Sequence, residues 1–439
     1  MSVIPRHPAS PPATSPHDER YYDARDLEAE LRRTFQICHE CRMCVSYCGS
    51  FPELFARVDR DIDSGAAEGA ERIDDADIKK VSDACWQCKL CYIKCPYTAD
   101  DGAAELLDFP RLMAREKAAR AARDGVTLVD RVLGEPQLIG QLGSGRLAPV
   151  TNLIQRSQLL RKVQEKLTGV SAEFPLPPLA PEPFPAWFAK HEPEPGAGQA
   201  GTVVLFATCY GNFNTPSVPR AAVRVLEHAG YAVELVGETC CGMPNLDGGD
   251  VARFVAKVEG NVAALLPKVE AGALVLVPQP TCAYTMKREW HEYVPTDATK
   301  KVASAVRDLM GFVESLRKQG ALPVESAGSL GRVSYHAACH LRAQKIGFPA
   351  ARVLGRALPD THVQIVQECS AVDGTWGMKA EHYETGRRYA EKLVTAVGEA
   401  EPDLIATDCG LSALRLARET GREVVHPIEA LARAFGLEA

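Results

Sequence analysis

From Gly201 onward the chain carries six short, mostly apolar runs: Thr202–Thr208, Ala232–Gly237, Ala273–Gln279, Arg332–Ala338, His362–Gln367 and Leu404–Asp408. Each is bounded like a strand and too short for a helix. Between them Ser217–Ala229, Val251–Leu266, Glu381–Val397 and Leu411–Glu419 repeat apolar residues at helical spacing. Strands alternating with helices predict a parallel sheet covered by helices. The earlier chain is patterned differently. Asp26–Phe35 gathers Leu27, Leu31 and Phe35 on one helical face, Asp77–Ala84 also reads as a helix, and the 36 residues between Cys48 and Cys85 are helix-like.

The expected fold class is α/β, with a helical two-cluster domain followed by two duplicated α/β domains. Its segments are a disordered proline-rich arm at 1–20, a ferredoxin-like domain at 21–120, a connector at 121–200, and α/β domains at 201–320 and 321–439. The arm has too few apolar residues to offset the entropy of ordering it. In the connector, the prolines and glycines of Phe174–Gly198 predict an extended strap and then a flexible hinge. Asn152–Leu167 places Leu153, Leu160, Val163 and Leu167 on one side of a helix and Arg161, Lys162 and Lys166 elsewhere, with Arg156 interrupting the apolar stripe. Such a helix suits an anionic membrane surface, and a helix packed on its own protein would fit the same periodicity.

The chemistry lies in the cysteines. Cys38, Cys41, Cys44 and Cys48, then Cys85, Cys88, Cys91 and Cys95, form two C-x2-C-x2-C-x3-C runs. Three closely spaced thiolates wrap one iron–sulfur cube while the fourth, displaced by an extra residue, serves the other. Two [4Fe-4S] clusters are therefore expected, one on Cys38, Cys41, Cys44 and Cys95, the other on Cys85, Cys88, Cys91 and Cys48. Structural zinc would use two C-x2-C pairs and leave half of each run idle.

The later cysteines mark a duplication. Cys209, Cys240 and Cys282 stand at or just after three predicted strand ends, and so do Cys339, Cys369 and Cys409. Thirty residues separate Cys209 from Cys240 and 40 separate Cys241 from Cys282; in the second half the gaps are 29 and 39. Ligand sites of open α/β sheets lie beyond the carboxyl ends of the strands. Each half is thus expected to make one metal site. The first has Cys209, Cys240, Cys241 and Cys282, with Gly242 and Pro244 turning the chain, and suits an iron–sulfur cluster better than zinc. The second has Cys339, Cys369 and Cys409, with His336 or His340 to complete a Cys3His set for zinc or a labile cluster. The run Asp373–Gly377 reads as a glycine turn near that site.

Composition narrows the setting. Fifteen cysteines in 439 residues, mostly at metal spacing, do not describe a secreted disulfide scaffold. No signal-peptide core opens the chain and no apolar run approaches a membrane span. A net charge of -7 argues against nucleic acid as a partner. The expected location is the cytoplasm, with peripheral contact at the inner face of the cell membrane. No nucleotide-binding glycine fingerprint follows a strand, and Gly140–Gly145 reads as a loop.

Cys240-Cys241-Gly242, Tyr335–Leu341 (YHAACHL), Glu368–Lys379 (ECSAVDGTWGMK), Thr407–Gly410 (TDCG) and His426–Phe435 (HPIEALARAF) resemble the duplicated Cys-Cys-Gly domains. Such domains occur in the B subunit of heterodisulfide reductase, the glycolate oxidase iron–sulfur subunit and the C subunit of anaerobic glycerol-3-phosphate dehydrogenase. The last is the most similar of the three, over about residues 30–436. The resemblance implies an electron-transfer subunit with no flavin or substrate site of its own, carrying electrons from a flavoprotein dehydrogenase towards membrane quinone. A soluble redox partner of a rubrerythrin-type peroxide-defence protein is the alternative. Two departures stand out: Cys369-Ser370-Ala371 replaces the family's second Cys-Cys-Gly, and Ser412 takes the last position of its D-C-x-x-C. Thr285 likewise replaces the fifth cysteine of the first half, so disulfide reduction is not expected.

Overall fold

A computed structural model describes residues 4–324, 327–372 and 374–437. They fall into two compact units. One comprises the chain up to Thr127 together with Asn245–Val251, and the other Leu128–Pro244 together with Ala252 onward.

The first unit is helical: α1 (Ala24–Cys41), α2 (Ser50–Asp63), α3 (Asp75–Asp83), α4 (Leu90–Lys94) and α5 (Phe109–Asp124). Asp23, Asp74 and Asp108 cap α1, α3 and α5 by accepting from backbone N–H groups of the first turn. Phe35, Phe51 and Phe109 meet in its core, with Phe51 and Phe109 centred 4.7 Å apart. The segment 5–16, expected to be disordered, has no helix or strand but is fastened. Arg6 pairs with Glu40 and Glu105, and the buried Arg33 donates to its carbonyl at 2.8 Å. Ion pairs and hydrogen bonds replace the apolar contacts that the segment lacks.

In the second unit, strands β1 (Gly201–Leu205), β2 (Tyr231–Glu234), β3 (Leu274–Val277) and β4 (Val306–Asp308) form a parallel sheet in the order β2-β1-β3-β4. Strands β5 (Arg332–His336), β6 (His362–Val366), β7 (Leu404–Thr407) and β8 (Val424–Val425) repeat it as β6-β5-β7-β8. Identical strand order in two consecutive halves is the signature of duplication. One core joins them: Val203, Leu205 and Leu276 of the first sheet belong to the same buried cluster as Val333, Tyr335 and Ala406 of the second.

The connector is built as α6 (Leu128–Leu133), α7 (Pro136–Gly143), α8 (Ala148–Arg156) and α9 (Gln158–Thr168). Two expectations change here. The glycines of Gly140–Gly145 are partly helical: a Cβ on Gly140 would lie 2.5 Å from the Phe213 ring, and one on Gly143 2.5 Å from Leu179. Glycine thus lets α7 approach its neighbours. The flexible hinge is also pinned, since Gly198 and Ala200 both donate to the Gly230 carbonyl at 2.9 Å.

Candidate iron–sulfur sites

In the first unit Cys38 and Cys41 lie in the last turn of α1, and Arg42 ends that helix with a left-handed φ of 53°. Lys89, at the matching place after Cys88, is also left-handed at 63°. The two ligand runs therefore turn alike, each bending its third cysteine back toward the first two. Cys38, Cys41, Cys44 and Cys95 line one small cavity with Ile37, Met43, Phe51, Phe55, Pro96, Tyr97 and Leu107. Burial pushes Cys38 well up, and the sulfurs of Cys95, Cys44 and Cys41 add to it. For the same reasons Cys44 is pushed up to about 12. Burial also raises Cys91, with Cys88, Cys85 and Cys48 contributing next. The structure thus sets Cys95 with the first run, while Cys91 lies near both Cys48 and Cys44. Four crowded thiols cannot all ionise unless bound cations neutralise them, and the donor set fits a cluster that would supply those cations.

The first cysteine-rich half gathers its four sulfurs more tightly. Cys209 follows the end of β1, after Thr208 at a left-handed φ of 69°. Cys241 donates to Cys282 at 3.3 Å. Hydrogen bonds link Cys209 to Cys240 and Cys240 to Cys241, holding Cys240 well below the thiol range and its neighbours well above it. Gly242 is required twice over: its φ is 91°, and a Cβ there would lie 2.6 Å from Phe254. Three supporting residues carried no signal in the sequence. Asn261 accepts from the Thr239 N–H at 2.9 Å and donates to the Cys240 carbonyl at 3.1 Å. Buried Trp290 donates to the Cys241 carbonyl at 3.0 Å. Lys257 is close enough to lower Cys209 and Cys240 by its positive charge. Together they fix the backbone of the Cys-Cys pair and oppose the negative charge of its sulfurs.

The second half is arranged differently. Cys339 and Cys409 line the same cavity as the first four cysteines, whereas Cys369 is not part of that wall and accepts from the Ala371 N–H at 3.2 Å. His336 is turned to its own fold: Nδ1 meets Thr407 Oγ1 at 3.0 Å and Nε2 meets the Glu368 carbonyl at 3.1 Å. With both nitrogens engaged, it does not present a lone pair to the cysteines, and burial lowers its pKa to about 4. His340 directs Nδ1 to Thr281 at 3.0 Å, with Cys339 Sγ at 3.9 Å. The two serines at family cysteine positions face each other, Ser370 and Ser412 being 2.8 Å apart and buried. Of the glycine turn, Asp373 lies outside the described residues, and Gly377 packs so closely that a Cβ would lie 2.5 Å from the Ala371 carbonyl.

Ala371 occupies the place of Gly242 and keeps its left-handed backbone, with φ 49°. A left-handed non-glycine costs about 1–2 kcal/mol. Ala371→Gly should therefore stabilise the protein by about 1 kcal/mol, read as a higher denaturant midpoint at unchanged slope.

The 4Fe-4S dicluster domain model matches residues 37–100, and the Cysteine-rich domain model matches twice, at 203–287 and 333–416. The chain is an iron–sulfur protein that joins a 4Fe-4S dicluster domain to two cysteine-rich domains. Among curated proteins it is similar to the C subunit of the anaerobic glycerol-3-phosphate dehydrogenase of Escherichia coli K12. The two are 25% identical over 326 residues, 72% of this chain and 80% of that protein. Lactate utilization protein A of Bacillus velezensis is 25% identical over 225 residues, 47% of this chain and 87% of its own. The Bacillus cytotoxicus protein of that name is 26% identical over 220 residues.

Proposed function

We propose that this chain is the electron-transfer subunit of a flavoprotein dehydrogenase of the glycerol-3-phosphate dehydrogenase type, carrying electrons towards membrane quinone. What supports it is the cavity that gathers Cys38, Cys41, Cys44 and Cys95 in the first unit, together with the close set of Cys209, Cys240, Cys241 and Cys282 in the second. Bound [4Fe-4S] clusters supply one-electron storage, the currency between a two-electron flavin and a two-electron quinone. Cys38, Cys41, Cys44 and Cys95 would hold one, and Cys85, Cys88, Cys91 and Cys48 another. Cys209, Cys240, Cys241 and Cys282 would hold a third. Cys44 is felt by Cys91, which supports a short step between the first two sites. The chain's own residues supply insulation and charge. Buried Lys89 donates to Gln87 at 2.8 Å, and Gln87 reaches Cys85 Sγ at 3.5 Å, so a cation and an amide dipole favour the reduced form there.

Support for the membrane comes from the connector. Leu128, Leu138, Leu142, Leu147, Val150, Leu153, Leu159, Leu160, Val163 and Leu167 are all exposed, Leu159 at 73%. An apolar face of this extent marks an interaction surface. Arg161, expected with Lys162 and Lys166 away from the apolar stripe, is instead buried and donates to the Ser171 and Phe174 carbonyls, the latter at 2.9 Å. The helix also breaks at Ser157, which caps α9. The apolar residues are therefore turned outward. Arg131, Arg146, Arg156, Lys162 and Lys166 are exposed around them, while Asp130, Glu135 and Glu165 are engaged by Lys379, Lys257 and the Ala172 N–H. The surplus positive charge complements anionic lipid. No helix among the described residues is long and apolar enough to cross a membrane.

Liposomes containing anionic lipid should bind the full chain, and Leu160→Asp with Val163→Asp should weaken binding by about tenfold or more. Salt should weaken wild-type binding too. Equal sedimentation of variant and wild type would show that this face does not meet lipid. Anaerobic purification with bound neighbours tests the donor: a flavoprotein dehydrogenase supports the proposal, and a diiron protein in its place opposes it.

A further inference from the structure

The six cysteines of the two halves that face one another enclose a cavity of about 400 Å³ within the second unit. Pockets for ligands of drug size begin at roughly 300 Å³. Its floor is Cys209, Cys240, Cys241 and Cys282, with Ser370 and Ser412 beside Cys339 and Cys409. Its roof is the connector: Val132, Ile139, Ile154, Leu176 and Leu179 line it. The roof is held in place, since Asn152 exchanges two hydrogen bonds with Leu179, at 2.9 and 2.8 Å, and the Ser171 N–H donates to the Met378 carbonyl at 2.8 Å. Ile139 and Ile154 both line the cavity and are 45% and 47% exposed, so its mouth opens among the same outward apolar residues of α7 and α8.

We propose that this cavity is the reduction site of an isoprenoid quinone that enters from the bilayer between α7 and α8. The inference rests on the membrane and quinone route proposed above and names its site. An apolar channel with a redox-active floor suits a molecule with a lipophilic tail and an electron-accepting head. Hydrogen-bonding groups for the head lie at the inner end, beside the cysteines. Gln279 accepts from the Gly410 N–H at 3.3 Å through Oε1, which leaves its NH2 for a quinone carbonyl, and Thr281, Ser370 and Ser412 supply hydroxyls nearby. A cluster on Cys209, Cys240, Cys241 and Cys282 would take the innermost space and leave the roofed part for the ring. The Ser370–Ser412 pair fits this use, because replacing two thiolates by a neutral hydrogen-bonded pair keeps a second cluster's charge out of the wall. In the step, one quinone takes two electrons, delivered singly from the dihydroflavin of the partner through the iron–sulfur chain. It also takes two protons from water at the mouth, and both carbonyls become hydroxyls.

The test uses the anaerobic holoprotein in liposomes with an azido-menaquinone carrying one isoprene unit. Light should attach the label to α7, α8 or residues 208–214, and excess unlabelled menaquinone should compete it away. Gln155→Trp, which fills the mouth from a half-buried position, should cut both labelling and quinone reduction by at least about tenfold, with unchanged iron content as the check on folding. Saturable labelling elsewhere, or a Gln155→Trp protein that labels and reduces quinone like wild type, overturns the cavity assignment while the route to quinone stands. If dithionite-reduced wild type passes electrons to ferricyanide but never to quinone, the route itself fails and the site with it. Labelling of the wild type decides the matter even if the variant does not fold.

Discussion

Cys241→Ser is expected to abolish electron transfer to quinone while the amino-terminal clusters remain reducible. Cys241 sits between Cys240 and Cys282, donating to the latter at 3.3 Å, and its carbonyl is held by Trp290 at 3.0 Å. No other cysteine in the first half is left to take its place. Serine keeps the shape but replaces a soft thiolate with a poorly acidic hydroxyl, so the loss should exceed the roughly 10–100-fold cost of removing a supporting group. In the second half the converse substitution is expected to act differently. Ser370→Cys should tighten metal retention there and, by breaking the Ser370–Ser412 pair in the cavity wall, lower quinone reduction while the amino-terminal clusters stay reducible. Anaerobic reduction followed by quinol formation measures both. Full activity in Cys241→Ser together with its loss in Cys369→Ser would reverse the roles of the two halves.

The strand ends and the cysteines were legible because each signal is local. Thr202–Thr208 and β1, or Leu404–Asp408 and β7, differ only at their ends. The near-equal cysteine gaps of the two halves announced the duplication that the matching strand order of the two sheets displays. Strands β4 and β8 escaped because three and two residues are too few to show a period. Other features depend on partners far along the chain. Arg6 meets Glu105 across 99 residues, and Ser370 meets Ser412 across 42. His336 reads as a ligand beside Cys339 until the fold brings Thr407 and the Glu368 carbonyl to its ring. Arg161 reads with Lys162 and Lys166 away from the apolar stripe, yet the carbonyls of Ser171 and Phe174 draw it inward. The cavity, lined by the connector and by strand-end segments of both halves, was foreshadowed in the sequence only on its cysteine side.

Cys95→Ser should remove the cluster on Cys38, Cys41 and Cys44 although Cys95 belongs to the other run. In the structure Cys95 lines the cavity of Cys38, Cys41 and Cys44, and Cys48 is not among the residues of that wall. A cubane deprived of one thiolate loses iron or is not assembled, so one of the two amino-terminal cluster signals should be lost while the other, and that of the third site, remain. The decisive measurement is low-temperature electron paramagnetic resonance of the dithionite-reduced full chain, with Cys41→Ser and Cys88→Ser as references. The signal lost in Cys95→Ser should be the one lost in Cys41→Ser; losing instead the signal that vanishes in Cys88→Ser would contradict the exchange of ligands on which the electron path is built.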